Sequence, residues 1–129
     1  MSSSLADTHV EAASRESTPL AEDDLIGLHR QIADWTVVAS EGVQRLRRTF
    51  EFPDFARALE FTSALGALAE REWHHPEILT SHVEQASEIG WGRVTVTWAT
   101  MIIEALHRND FVMAAKTDRL YAEAAGEWR

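Results

Sequence analysis

A chain of 129 residues with 45% hydrophobic side chains suits one compact core and argues against two independent domains. Twelve Lys and Arg against twenty-one Asp and Glu leave a formal charge of -9, a surface that repels nucleic-acid phosphates and anionic membranes. The chain has no cysteine, which removes disulfide scaffolds, thiolate zinc sites and cysteine nucleophiles.

Residues 1–17 are rich in Ser, Ala and acidic side chains, with Arg15 the only Lys or Arg. They carry neither the apolar stretch of a secretory signal nor an arginine-rich amphipathic helix, so a cytoplasmic protein is expected, with residues 1–18 a disordered tail and 19–129 the domain. No stretch of the sequence is long and apolar enough to read as a membrane span. Thr18 and Pro19, followed by Glu22, Asp23 and Asp24, predict a helix start. Leu25, Leu28, Ile32 and Trp35 recur at helical spacing and extend that helix to about Asp34. Trp35–Ser40 is β-rich, Glu41 and Gly42 read as a turn, and Leu46, Phe50 and Phe52 lie along a second strand. Within it, Arg45, Arg47 and Arg48 read as a solvated strand face.

A second helix follows from Asp54 to about Arg71, with Phe55, Ala58, Leu59, Thr62, Leu65 and Ala69 on one stripe and Asp54 as its cap. Pro76 stops it and steers His75 away from the helical region. A short strand over Glu77–Thr80, a polar stretch over 81–90 and a strand with alternating Val94, Val96 and Trp98 come next. A last helix follows Asn109 or Asp110, with Phe111, Ala114, Leu120 and Tyr121 on its apolar side. The order α-β-β-α-β-β-α has no long crossover. It predicts an α+β fold, a four-stranded antiparallel sheet with three helices on one face.

The chemistry concentrates around the adjacent His74 and His75. Glu70, one helical turn before His74, is placed to fix a tautomer. A histidine pair supplies an acid and a base near neutral pH without a metal. Against this stands the reading of a polar helix end that only satisfies backbone carbonyls. Metal catalysis has little support, because no HExxH and no histidine pair at i,i+4 spacing occurs. Gly-rich phosphate loops and GxSxG are also missing.

From about Leu20 to Tyr121 the sequence resembles the pterin-4a-carbinolamine dehydratases, in a form that looks bacterial. The likeness rests on TFEFPDFARALEFTSALGALAE, the HHP run, WGRVTVTW and LHRNDFVMAAKTD. It joins Glu70, His74, His75 and Pro76 to Trp91 and Asp110. The resemblance implies a homodimer or homotetramer that dehydrates 4a-hydroxytetrahydropterin, in recycling of the cofactor of aromatic amino acid hydroxylases. Neither a metal nor an organic cofactor is implied. By similarity, His74 is the leading acid, His75 binds pterin and assists proton transfer, and Glu70 orients the pair. Trp73, Pro76, Trp91, Thr100, Met101 and Asp110 would surround the substrate.

Two departures from the family's pattern lie beside this site. Met101 stands where the family usually has a third histidine, and a thioether transfers no proton. The connection from Pro76 to Trp91 is lengthened by SHVEQASEIG, where Val83, Ala86 and Ile89 suggest a helical turn and His82 reads as an exposed loop histidine, with a substitute imidazole as the alternative. Such an insertion is cheap, since loop-closure entropy grows only with the logarithm of length. Ala105, where the family commonly has Gly, is expected to restrict the turn before the last helix. A second function class therefore stands beside the enzyme: a binding module with a weakened site, acting as a Rubisco assembly factor or a transcriptional dimerisation cofactor.

Overall fold

The computed structural model describes residues 5–85 and 88–128. Its elements run α1 Glu22–His29, β1 Thr36–Ser40, β2 Val43–Phe52, α2 Phe55–Glu72, β3 Glu77–Gln85, β4 Glu88–Trp98 and α3 Arg108–Gly126, with short 3₁₀ turns at Leu5–Asp7 and Arg30–Ile32. The strands form one antiparallel sheet in the order β1-β2-β4-β3. This is the expected α+β architecture.

Alternation in the strands decides what the sheet buries. Leu46 pairs with Trp98 and Phe50 with Val94, so these side chains share one face, and all four are at most 1% exposed. α2 closes over them through Ala58, Phe61, Leu65 and Ala69; Phe55 and Leu59, expected on that stripe, are 36% and 49% exposed, and Phe61 takes their place in the core. α3 adds Phe111, Val112 and Met113, none of them exposed. Gly92 is required where α2 begins, because a Cβ there would lie 2.5 Å from the Asp54 carbonyl oxygen and 2.7 Å from Ala58 Cβ. Asp54 caps α2 as predicted, accepting the Arg57 N–H at 2.8 Å. Glu41 and Gly42 both have positive φ, 54° and 78°, the backbone of the tight β1–β2 hairpin turn.

Several expectations are corrected. α1 starts at Glu22 rather than beside Pro19, with no side-chain cap, and its end tightens into the 3₁₀ turn that buries Ile32. The basic cluster is not a solvated face. Arg48 pairs in register with Val96 on the helix side, stacks over Phe50 at 4.5 Å and binds Asp118 at 2.7 Å. Burial pushes the Asp118 carboxyl above the usual range, against the opposing bonds from Trp35 and Arg48. Arg45 is also buried and reaches Glu77 at 3.0 Å.

The inserted segment lengthens the β3–β4 hairpin instead of forming a loop with a helical turn. Ser81 to Val83 pair with Arg93 to Trp91, since alternating side chains there continue a ladder already begun. The backbone at Ile89 is strand, and Ala86 lies outside the described residues.

The N-terminal segment is not a disordered tail over its described length. Leu5 and Ala6 are 5% and 7% exposed and join the core edge along α3. Lys116 Nζ donates to the Ala6 carbonyl at 2.8 Å, and Asp7 pairs with Arg119 at the same distance. Further on, the Val10 N–H donates to Glu72 Oε1, and the buried Asn109 amide both accepts from the Glu11 N–H at 2.9 Å and donates to its carbonyl at 2.8 Å. Composition missed this docking because most of it uses backbone polar groups, which any sequence supplies.

Candidate active site

The end of α2 sorts the Trp-His-His run. Trp73 adopts the left-handed conformation, φ 52° and ψ 38°, and closes the helix with its N–H on the Ala69 carbonyl. That conformation is costly for a residue with a Cβ. It reverses the chain so that Trp73 stands 83% exposed while His74 turns inward, 9% exposed. The His74 ring stacks parallel to Trp98, 5.6 Å between centroids and 8° between planes. Trp98 is itself anchored to α3 by its indole N–H on Thr117 Oγ1.

His74 is held by a partner 36 residues away. Its Nε2 lies 2.6 Å from Asp110 Oδ1, while Asp110 Oδ2 accepts the Thr100 hydroxyl at 2.8 Å and the His107 N–H at 2.9 Å. Asp110 is fully buried. Three donors on one carboxylate fix the His74 tautomer with the proton on Nε2, leaving Nδ1 as the nitrogen free to exchange protons. The same Asp110 builds the capping box of α3 with His107, whose Nδ1 accepts the Asn109 N–H. The helix therefore begins at Arg108 rather than at Asn109 or Asp110, and its cap and the site share one carboxylate.

Glu70 takes a different role from the one expected. It pairs with His75, not His74, at 2.9 Å, because the reversal at Trp73 breaks the helical spacing that would bring Glu70 beneath His74. Both members are exposed, so the pair adds only ~0–1 kcal/mol to stability. Thr100 and Met101 sit in a turn closed by a Thr100–Ala105 bridge. Thr100 points inward to Asp110, whereas Met101 is 51% exposed. The left-handed residue in this turn is Glu104, φ 49°. Ala105 is accommodated without a positive φ, so it does not restrict the turn.

These parts open onto a cleft of about 750 Å³, lined by His9 to Ala13, Arg71 to His75, Ala99 to Ile102 and Asn109. Its size falls in the ~300–1,000 Å³ range of small-molecule sites. Of the expected site residues, Trp73, His74, His75, Thr100 and Met101 line it, and Asp110 supports it from beneath. Glu70 and Pro76 flank it without lining it. Trp91 is not brought there. It pairs with Val83, seven strand positions before Trp98, roughly 23 Å along the ladder. His82 is likewise remote from the cleft, its ring 6.1 Å from that of Phe55.

Sequence reasoning missed Glu72, Asn109 and the segment 9–13. Burial pushes the Glu72 carboxyl up, but the Val10 N–H, Lys116 and His9 together outweigh it and hold the carboxyl below its usual range. His9 Nδ1 lies 3.6 Å from Glu72 Oε2. Among the described residues no three His, Asp or Glu side chains are grouped to hold a metal ion, and no helix is long and apolar enough to cross a membrane.

Comparison with known proteins gives a consistent result. Residues 18–120 match the family model described as pterin 4 alpha carbinolamine dehydratase. A relative from Chlorobium limicola is 51% identical over 104 residues, covering 81% of this chain and 84% of its own. One from Nitrosococcus oceani is 46% identical over 116 residues, 90% of this chain and 95% of its own. Both are provisionally named pterin-4-alpha-carbinolamine dehydratases. A Brucella melitensis crystal structure described as a transcriptional coactivator/pterin dehydratase superposes with a TM-score of 0.66 at 28% identity, over 80% of this chain and 98% of that one.

Proposed function

The chain belongs to the pterin 4 alpha carbinolamine dehydratase family, and we propose from that premise that it is a hydro-lyase removing water from a 4a-hydroxytetrahydropterin. The observation that carries the reading is the buried His74–Asp110 pair at the wall of the cleft, with the exposed His75–Glu70 pair beside it. In the proposed step, protonated His74 delivers its Nδ1 proton to the 4a-hydroxyl. The C4a–O bond breaks and its electron pair leaves with the oxygen as water. The neighbouring N5–H gives its proton to His75 Nδ1, and the N5 electron pair forms the C4a=N5 bond of the quinonoid dihydropterin. His74 is left neutral and His75 protonated, and solvent exchange restores both.

Asp110 supports the positive His74 ring in a site where solvent does not screen it. Glu70 does the same for His75 at the surface, where the effect is smaller. Met101 brings an apolar, polarisable surface to the cleft and no proton. The test is turnover of 4a-hydroxytetrahydropterin by wild type and by His74→Ala. A general acid contributes roughly 10²- to 10⁴-fold, and the variant should lose that much. Equal rates for wild type, variant and the uncatalysed reaction would remove the enzyme reading. Met101→His, which adds an imidazole at this rim, should raise kcat.

A second reading is a protein-binding role on the same fold. Met101 favours it, as does the description of the Brucella structure as a coactivator as well as a dehydratase. Absence of turnover together with a stable partner in a pull-down would select it.

A further inference from the structure

The cleft has a wall that lies outside residues 18–120, the span shared with the family model. Residues 9–13 line it, and they are tied down before and within the segment. Upstream, Leu5 and Ala6 are buried and Lys116 holds the Ala6 carbonyl. Within it, Asn109 brackets Glu11 with two hydrogen bonds, and Glu72 holds the Val10 N–H. Asn109 adjoins Asp110, the residue that fixes His74, and Glu72 adjoins Trp73. The anchors of the segment are thus sequence neighbours of the proton-transfer machinery.

Resting on the dehydratase reading, we infer that residues 5–13 form a docked strap that completes the pterin-binding cleft and sets its affinity. Three features of the strap suit a flat heteroaromatic ligand. Ala12 and Ala13 are small, so they bound the cleft without filling it. Val10 adds apolar surface. His9, beside the Glu72 carboxylate, presents an imidazole N–H to polar atoms at the ligand's edge. Trp73, exposed in the same cleft, supplies an aromatic surface against which a pterin ring can stack.

The experiment uses two full-length variants and 7,8-dihydrobiopterin, a stable pterin, as the calorimetric probe. Ala12→Trp, at an exposed strap position, fills the cleft without disturbing the core. Ala6→Asp places a charge at the buried anchor and should release the strap, seen as faster tryptic cleavage after Arg15, which is exposed. Removing roughly 50–60 Å² of apolar ligand contact weakens binding about tenfold, and both variants should show that loss while their melting curves stay cooperative. Affinity that is unchanged or higher in the strap-released variant overturns the inference. If cleavage shows that Ala6→Asp stays docked, Ala12→Trp decides alone, and wild-type affinity there overturns it. Wild type that neither binds the probe nor turns over substrate removes the dehydratase reading itself, and the inference with it.

Discussion

Asp110→Asn is the most discriminating perturbation of the proposed site, because the hydrogen-bond geometry leaves the amide one workable orientation. Asp110 Oδ2 accepts from the His107 N–H and the Thr100 hydroxyl, and Oδ1 faces His74 Nε2. A backbone N–H cannot reverse its polarity, so the asparagine oxygen must take the His107 side and its NH₂ must face His74. Nε2 then has to accept, and the His74 proton moves to Nδ1. The positive ring also loses its buried anion, a charge-assisted contact worth about 1.5–3 kcal/mol. The expected result is a fall in kcat of roughly 10²- to 10⁴-fold, the scale of a lost acid, with KM little changed. The folding cost should stay within about 1–3 kcal/mol, since two of the three bonds survive. Turnover assays give the rate, thermal melts the stability, and ¹⁵N NMR of the imidazoles the tautomer. A variant turning over within about threefold of wild type, or one whose His74 keeps its proton on Nε2, would refute the reasoning.

Other predictions follow from single contacts. Gly92→Ala should destabilise by about 1–3 kcal/mol in denaturant titration, because its Cβ meets backbone at Asp54 and not a movable side chain. Trp73→Gly should relieve the left-handed backbone by about 1 kcal/mol yet weaken pterin binding, a split between stability and affinity visible in parallel melts and titrations. The Glu72 carboxyl sits lower in the folded protein than in the unfolded chain. Its contribution is therefore complete above the ordinary glutamate value, ~4.3, and is lost as pH falls through the lower folded value. Amide exchange at Val10, corrected for the intrinsic pH dependence of exchange, is the suitable probe; its protection should fall as pH drops through that window, and Glu72→Gln should leave the protection independent of pH.

Much of the fold was legible because it follows from local patterns. The alternation of Val94, Val96 and Trp98, the Ala58, Leu65 and Ala69 part of the α2 stripe, the Asp54 cap and the Glu41–Gly42 turn all act within a few residues. The inserted segment was misjudged for a related reason. Val83 and Ile89 suit a helical turn or a strand equally, and the ladder already started by Glu77–Thr80 decides between them. Arg48 was misplaced because its charge argued for solvent, although alternation with Leu46 and Phe50 puts it on their face; the Asp118 carboxylate that pairs with it there comes from distant α3.

For the site, the sequence by itself determined which side chains are able to move protons, placed His74 and His75 at a helix end and put a carboxylate within reach of them. Which carboxylate serves which imidazole was settled by tertiary structure. The left-handed Trp73 turns His74 away from Glu70 and into the core, where Asp110 arrives from the first turn of α3. Tertiary structure also turned an apparent tail into a wall of the cleft, through hydrogen bonds to backbone atoms that carry no signature in the identity of residues 5–13. Local chemistry is written along the chain; the pairing of distant polar groups appears only when burial removes water and makes each of them find a partner.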